Sequence, residues 1–148
     1  MNWILYLLAI LCGVGTALQS GVNSQLRKSI NNPLFAAVIS FTVGFITILI
    51  IFPIFNKNAL PSFSTLKSME WWKWTGGFFG VFFVTTVIMT IDKVGSANMT
   101  ALIVGGQLIT AMVLDHYGFL GFNIHQINFW RVLGALLIVG GVYLVMKN

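Results

Sequence analysis

Two carboxamides, Gln19 and Asn23, stand one helical turn apart in the stretch GTALQSGVNSQLRKS, at the end of a run that begins as hydrocarbon, WILYLLAILCGVG. At about 100° per residue, Cys12, Thr16, Gln19, Ser20, Asn23 and Arg27 fall within a stripe about 100° wide. Ile4, Leu7, Leu8 and Leu11 serve the remaining faces. A polar group in hydrocarbon costs free energy unless it finds a partner or water, so such an edge turns toward a bundle interior or a cavity. Amides and hydroxyls placed there offer hydrogen bonds to a small polar solute. Taken alone, either amide is more often glue between helices than a ligand to a solute, worth about 1 kcal/mol.

A second stripe of the same kind shifts that balance. In GSANMTALIVGGQLITAMVLDHYG, Ser96, Thr100, Gln107, Thr110 and Ala111 share a face, with Gln107 a little past the middle of the run. Two amide-bearing helices need a common interior, and the residues expected to bind a solute in it are Thr16, Gln19, Asn23, Ser96, Thr100 and Gln107. Asp115 beside His116 is the one pair that could link protons, because histidine changes charge near physiological pH. A structural alternative is a cation complementing the dipole at a helix C-terminus.

The acids are Glu70, Asp92 and Asp115, all near the ends of apolar runs. Export of a hydrophobic cation normally wants a buried carboxylate, so a neutral, zwitterionic or anionic metabolite fits better. Asp92 with Lys93 reads as a solvated turn. Paired cysteines, an HExxH motif and a phosphate loop are all missing, and the two histidines, His116 and His125, fall in what reads as one loop. No catalytic residue, metal site or cofactor is expected, and the chain does not read as an enzyme.

The elements that carry these side chains follow from composition. Of 148 residues, 57% are hydrophobic and 7% charged, with a mean hydropathy of +0.91. A soluble domain carries about 25% charged residues, so this chain cannot clothe a water-facing surface and belongs in a lipid bilayer. A spanning helix needs roughly 20 mostly apolar residues. Five runs qualify: 3–25, 33–52, 71–91, 95–114 and 127–146. Little remains but loops, so residues 1–148 read as a single transmembrane domain of the all-α class. Met1 and Asn2 form a poor signal-peptide n-region and no small-x-small site follows, so the first run is expected to be a permanent span. Cys12, the single cysteine, reads as a small packing residue.

Connections are well punctuated. Asn32 and Pro33 supply an N-cap and a first-turn proline for the second span, and Pro53 is expected to close it. The SFSTLKSM part of the longest connection is expected to form a short interfacial helix. WWKW reads as an aromatic belt at the start of the third span. Gly118 stands where a C-cap glycine belongs. Ala97, Ala101 and Gly105 make a small-xxx-small edge. Gly76, Gly77, Gly80, Gly134, Gly140 and Gly141 read as further packing sites.

The net charge of +5 comes from basic residues scattered over all the loops, which suits lipid headgroups better than nucleic acid. With five spans, Lys57, Lys67, Lys73 and Arg131 fall on one side and Arg27, Lys28, Lys93 and Lys147 on the other, four against four. Orientation follows an excess of Lys and Arg on the cytoplasmic side, so a tie favours insertion in both orientations.

These features together resemble the YdcZ-type five-helix family of the drug/metabolite transporter superfamily. The segments that carry the resemblance are ALQSGVNSQL, AAVISFTVG, WTGGFFGVFFV, GSANMTALIVGGQL, DHYGF and RVLGALLIVGGVYLV, in that order along the whole chain. One departure is the DKVG turn, which lacks a proline before its glycine. The resemblance implies a bacterial inner-membrane transporter or exporter. Its five helices would be half of a ten-helix inverted-repeat transporter, completed by an antiparallel homodimer or by a homologue of opposite orientation. It also implies that Gln19, Asn23 and Gln107 face a central cavity. Two rivals remain from the sequence: a small dual-topology ion channel, and an accessory membrane subunit that transports nothing itself.

Overall fold

The computed structural model describes residues 3–55 and 60–147. Lys57, counted above among the loop charges, lies outside the described residues. Every regular element among the described residues is helical: α1 (Trp3–Ile30), α2 (Pro33–Phe55), α3 (Phe63–Lys67), α4 (Gly76–Val94), α5 (Ser96–Tyr117) and α6 (Phe129–Lys147), with 3₁₀ turns at Trp71–Trp74 and Phe119–Gly121. Five of these helices are long and apolar enough to cross a membrane, the third being α4 together with the turn that leads into it.

Helix ends follow local chemistry. The Asn32 side-chain oxygen accepts the Phe35 N–H at 3.0 Å, satisfying one of the orphan donors of the first turn of α2. Asn31, at φ 51°, turns the chain out of α1, so the two helices are joined by Asn31 and Asn32 alone. Ser62 caps α3 by accepting the Thr65 N–H. The WWKW stretch is a 3₁₀ turn whose Trp71 and Trp74 are largely exposed. Asn128 accepts the Arg131 N–H at 2.9 Å and opens α6.

Four boundaries differ from expectation. Pro53 does not close α2, which runs on to Phe55. A proline removes its own N–H and crowds the carbonyl four residues earlier, and within the last turn those losses do not stop the following two residues from staying helical. Helix α1 continues past Gln25 to Ile30, and α4 past Ile91 to Val94, because the charges that closed the apolar windows are held by partners on the facing helix. Finally, His116 belongs to the last turn of α5 rather than to the loop that carries His125.

The chain divides into two compact units, one ending at Asp92 and the other beginning at Lys93. In the first, Ala36 and Ala37 of α2 meet Val84 and Ile88 of α4, with Leu26, Ile30 and Phe83 packed around them. Val84, Val87, Ile88 and Ile91 are all buried, a stripe at helical spacing. Between helices in lipid the gain comes chiefly from van der Waals packing rather than from expelled water, so small residues at the crossing matter. Ala36, fully buried, lets the α2 backbone approach closely. A Cβ added at Gly80 would lie 3.8 Å from the Phe41 ring.

In the second unit α5 packs on α6. Gly105 is the buried residue of α5, and a Cβ there would meet Val142 Cγ2 at 3.8 Å. Gly118, at φ 64° and ψ 26°, ends α5 in the left-handed conformation and its N–H bonds the Leu114 carbonyl. Of the other glycines expected to serve packing, Gly76, Gly77, Gly134, Gly140 and Gly141 face open space within the chain.

Candidate functional site

On α1 the polar edge begins with hydroxyls that are satisfied locally. Thr16 donates to the Cys12 carbonyl at 2.6 Å and Ser20 to the Thr16 carbonyl at 2.8 Å, the back-bonding that lets a hydroxyl ride in an apolar helix. Gln19 is exposed. One turn further, Asn23 and Ser24 are the buried polar residues among those described, 5% and 4% exposed. Ser24 spends its hydroxyl on Asp92. The Asn23 carboxamide has no hydrogen-bond partner among the described residues.

The end of α1 is tied to the end of α4 by charge. Asp92 accepts from Ser24 Oγ at 2.8 Å, lies 3.1 Å from Lys28 Nζ and 3.3 Å from Arg27 Nη1. The same Nη1 donates to the Ile88 carbonyl at 2.9 Å. Two cations and a buried hydroxyl therefore share one carboxylate, and Asp92 is not simply the solvated neighbour of Lys93. Sequence adjacency pointed to Lys93, but a better signal was available. The first and third spans run in the same direction, so their C-terminal ends share a membrane face. A third polar feature of this unit is Thr85 Oγ1, fully enclosed in α4 without a partner among the described residues.

In the second unit, Thr100 donates to the Ser96 carbonyl at 2.9 Å; Ser96, Thr100 and Gln107 are all exposed. Asp115 and His116 bond to different groups. Asp115 pairs with Arg131 of α6 at 2.5 Å, and Arg131 also donates to the His125 carbonyl at 2.6 Å. His116 Nδ1 accepts the Ile127 N–H at 3.1 Å, and its ring meets Tyr117 edge-on. The Asp115 carbonyl receives the His125 N–H. These bonds staple the connection after α5 back onto the helix ends, beside an open polar concavity of about 610 Å³ lined by Asp115, Ile124, His125, Gln126, Asn128 and Arg131. Of the residues expected to act in transport, only Asp115 lines it. Arg131 was again legible in principle, since the end of the fourth span and the start of the fifth face the same side.

An all-helical chain with five apolar spans and polar edges on α1 and α5 is a multi-pass integral membrane protein. Residues 4–144 match the family described as "Putative inner membrane exporter, YdcZ", and the chain belongs to that family. It is 29% identical over 140 residues to the inner membrane protein YdcZ of Escherichia coli K12, an alignment covering 94% of this chain and 92% of that one. No solved structure matches. The family is one of membrane exporters and not of enzymes, which makes this a protein of the inner membrane in a transporter family.

Proposed function

We propose that the chain is half of a secondary transporter. Two copies inserted in opposite orientations enclose a cavity near mid-membrane and move a small neutral, zwitterionic or anionic metabolite by alternating access. Gln19, Asn23, Thr16, Ser96, Thr100 and Gln107 offer it hydrogen bonds, and Asp115 with His116 is the candidate for proton linkage. The observation that carries this reading is how little of each span the chain covers by itself. None of the most apolar stretch of α1 or α6 is buried and only 22% of that in the third span, while the Gln19 and Gln107 amides stay exposed. Apolar side chains are content against lipid, but a mid-span carboxamide requires protein or water.

Inverted repeats that bind at the midplane and rock about it are a recurrent solution to alternating access. If the two halves are identical, exchanging their conformations converts the inward-open state into the outward-open one. The two states then have equal intrinsic free energy, and direction comes from gradients or a coupled ion.

Topology tests the reading. Single cysteines replace Asn2 and Asn148, which lie outside the described residues, in a Cys12→Ala background and are labelled from outside intact cells. Comparable labelling at both ends is expected. Labelling at one end alone rules out the inverted homodimer and directs the search to a homologue inserted the other way.

A further inference from the structure

We propose that Asn23 and Arg27 form a carboxylate-recognition subsite, in which Asp92 is the internal counter-ion that holds Arg27 when no solute is present. The proposal rests on the transporter reading and narrows its solute to one bearing a carboxylate.

Charge comes first. Arg27 and Lys28 place charged nitrogens 3.3 Å and 3.1 Å from the Asp92 carboxylate, two cations to one carboxylate, and the cluster is left with a surplus positive charge. An incoming carboxylate neutralises it; a cationic solute would add to it.

Geometry comes second. A guanidinium has five N–H donors arranged to meet a carboxylate with two parallel bonds. Both protein contacts of Arg27 use Nη1, one to Asp92 and one to the Ile88 carbonyl. Neither contact uses the Nε–Nη2 edge.

The third element is Asn23, four residues before Arg27 and so on the same helix face. Asn23 is 5% exposed as a residue and its carboxamide makes no hydrogen bond among the described residues, which leaves its N–H donors for a ligand oxygen. Asp92 can release Arg27 without being stranded, since Lys28 and the Ser24 hydroxyl remain on its other oxygen.

The test uses the full-length chain purified in detergent, with sodium acetate titrated against sodium chloride at constant ionic strength and the thermal midpoint as readout. Anything that binds the folded state raises the midpoint in a saturable way, and wild type is expected to show this. Arg27→Gln abolishes the response, and Arg27→Lys, which keeps the charge without the fork, retains a weakened one. Asn23→Leu weakens it also. Asp92→Asn removes the competing anion, so half-saturation falls to lower acetate, on the order of tenfold. Arg131→Gln, a cation at another helix end, leaves the response as in wild type.

An acetate response that survives in both Arg27 variants, or one that Asp92→Asn leaves unmoved, overturns the proposal. In nanodiscs, a midpoint that follows phosphatidylglycerol content through Arg27 while ignoring acetate identifies a lipid headgroup and overturns it too. Loss of the subsite with both termini still labelled leaves the transporter reading standing. An acetate response through Arg27 in a chain labelled at one end only does the reverse.

Discussion

Ser24 of α1 donates a hydrogen bond from its hydroxyl to the Asp92 carboxylate of α4 across 2.8 Å, although the two residues are 68 positions apart in the chain. Both ends of that bond lie in the C-terminal turns of their helices. It therefore acts together with the Arg27 and Lys28 contacts as the polar closure of the first unit, above the apolar crossing made by Ala36, Ala37, Val84 and Ile88.

Ser24→Ala is expected to lower the thermal midpoint by about 2–4 °C, the scale of one lost hydrogen bond in a chain of about 150 residues. Asp92→Asn should lower it further, because Arg27 and Lys28 then face each other without a counter-ion. Differential scanning fluorimetry in one detergent, with both variants side by side, checks the order. Equal midpoints for Asp92→Asn and wild type would mean that this closure does not hold α1 to α4.

Thr85→Val makes a prediction of opposite sign. Threonine in a helix usually bonds back to a carbonyl one turn earlier, but the enclosed Thr85 hydroxyl has no partner among the described residues. Valine has the same shape without the unpaired group, so the thermal midpoint should hold or rise. A fall would reveal a partner supplied by water, solute or a second copy.

Gly118 separates two kinds of strain. Its φ of +64° costs an L-residue about 1–2 kcal/mol, and a Cβ there would sit 2.8 Å from Ile124 Cγ1. Gly118→Ala should destabilise the second unit, and adding Ile124→Ala should recover the steric part while the backbone part stays lost. Limited proteolysis of the connection after α5 follows both variants. Full recovery in the double variant would show the backbone part to be negligible.

Transport itself is addressed by Gln19→Leu and Gln107→Leu. Each makes an exposed helix position apolar, which lipid tolerates, so insertion and thermal midpoint should be retained while flux into vesicles falls, on the order of tenfold if one hydrogen bond to the solute is lost. Unchanged flux from both variants would remove these amides from the solute path.

The five spans and most of their ends could be read directly from the residues. Asn32 before Pro33, Ser62 before α3 and Gly118 after α5 each act through a local bond or a local φ, and local chemistry survives without knowledge of the fold. The partners of Asp92 and Asp115 could not be read that way. Each aspartate has a nearer candidate beside it, Lys93 or His116, and each instead bonds a cation brought close by helix pairing. Window-based ends for α1 and α4 stopped short for the same reason, since a charge looks like a boundary until its counter-charge is placed. The exposed amides Gln19 and Gln107 were legible as polar residues in apolar runs. What covers them is not encoded in periodicity, because a stripe specifies a face and not its occupant.

The Arg27–Lys28–Asp92 cluster also has an order of assembly. A chain made from its N-terminus presents Arg27 and Lys28, at the end of α1, long before Asp92 has been synthesised. During that interval both cations act at full strength on the choice of side, followed by Lys57, Lys67 and Lys73 pulling the opposite way. Only when α4 arrives does Asp92 neutralise part of the first signal, after the early helices have already been placed. If the chain inserts both ways, as proposed, the even count of charges in the finished protein describes a contest decided while it was uneven, and the pace of synthesis between α1 and α4 would then help to set how many copies face each way.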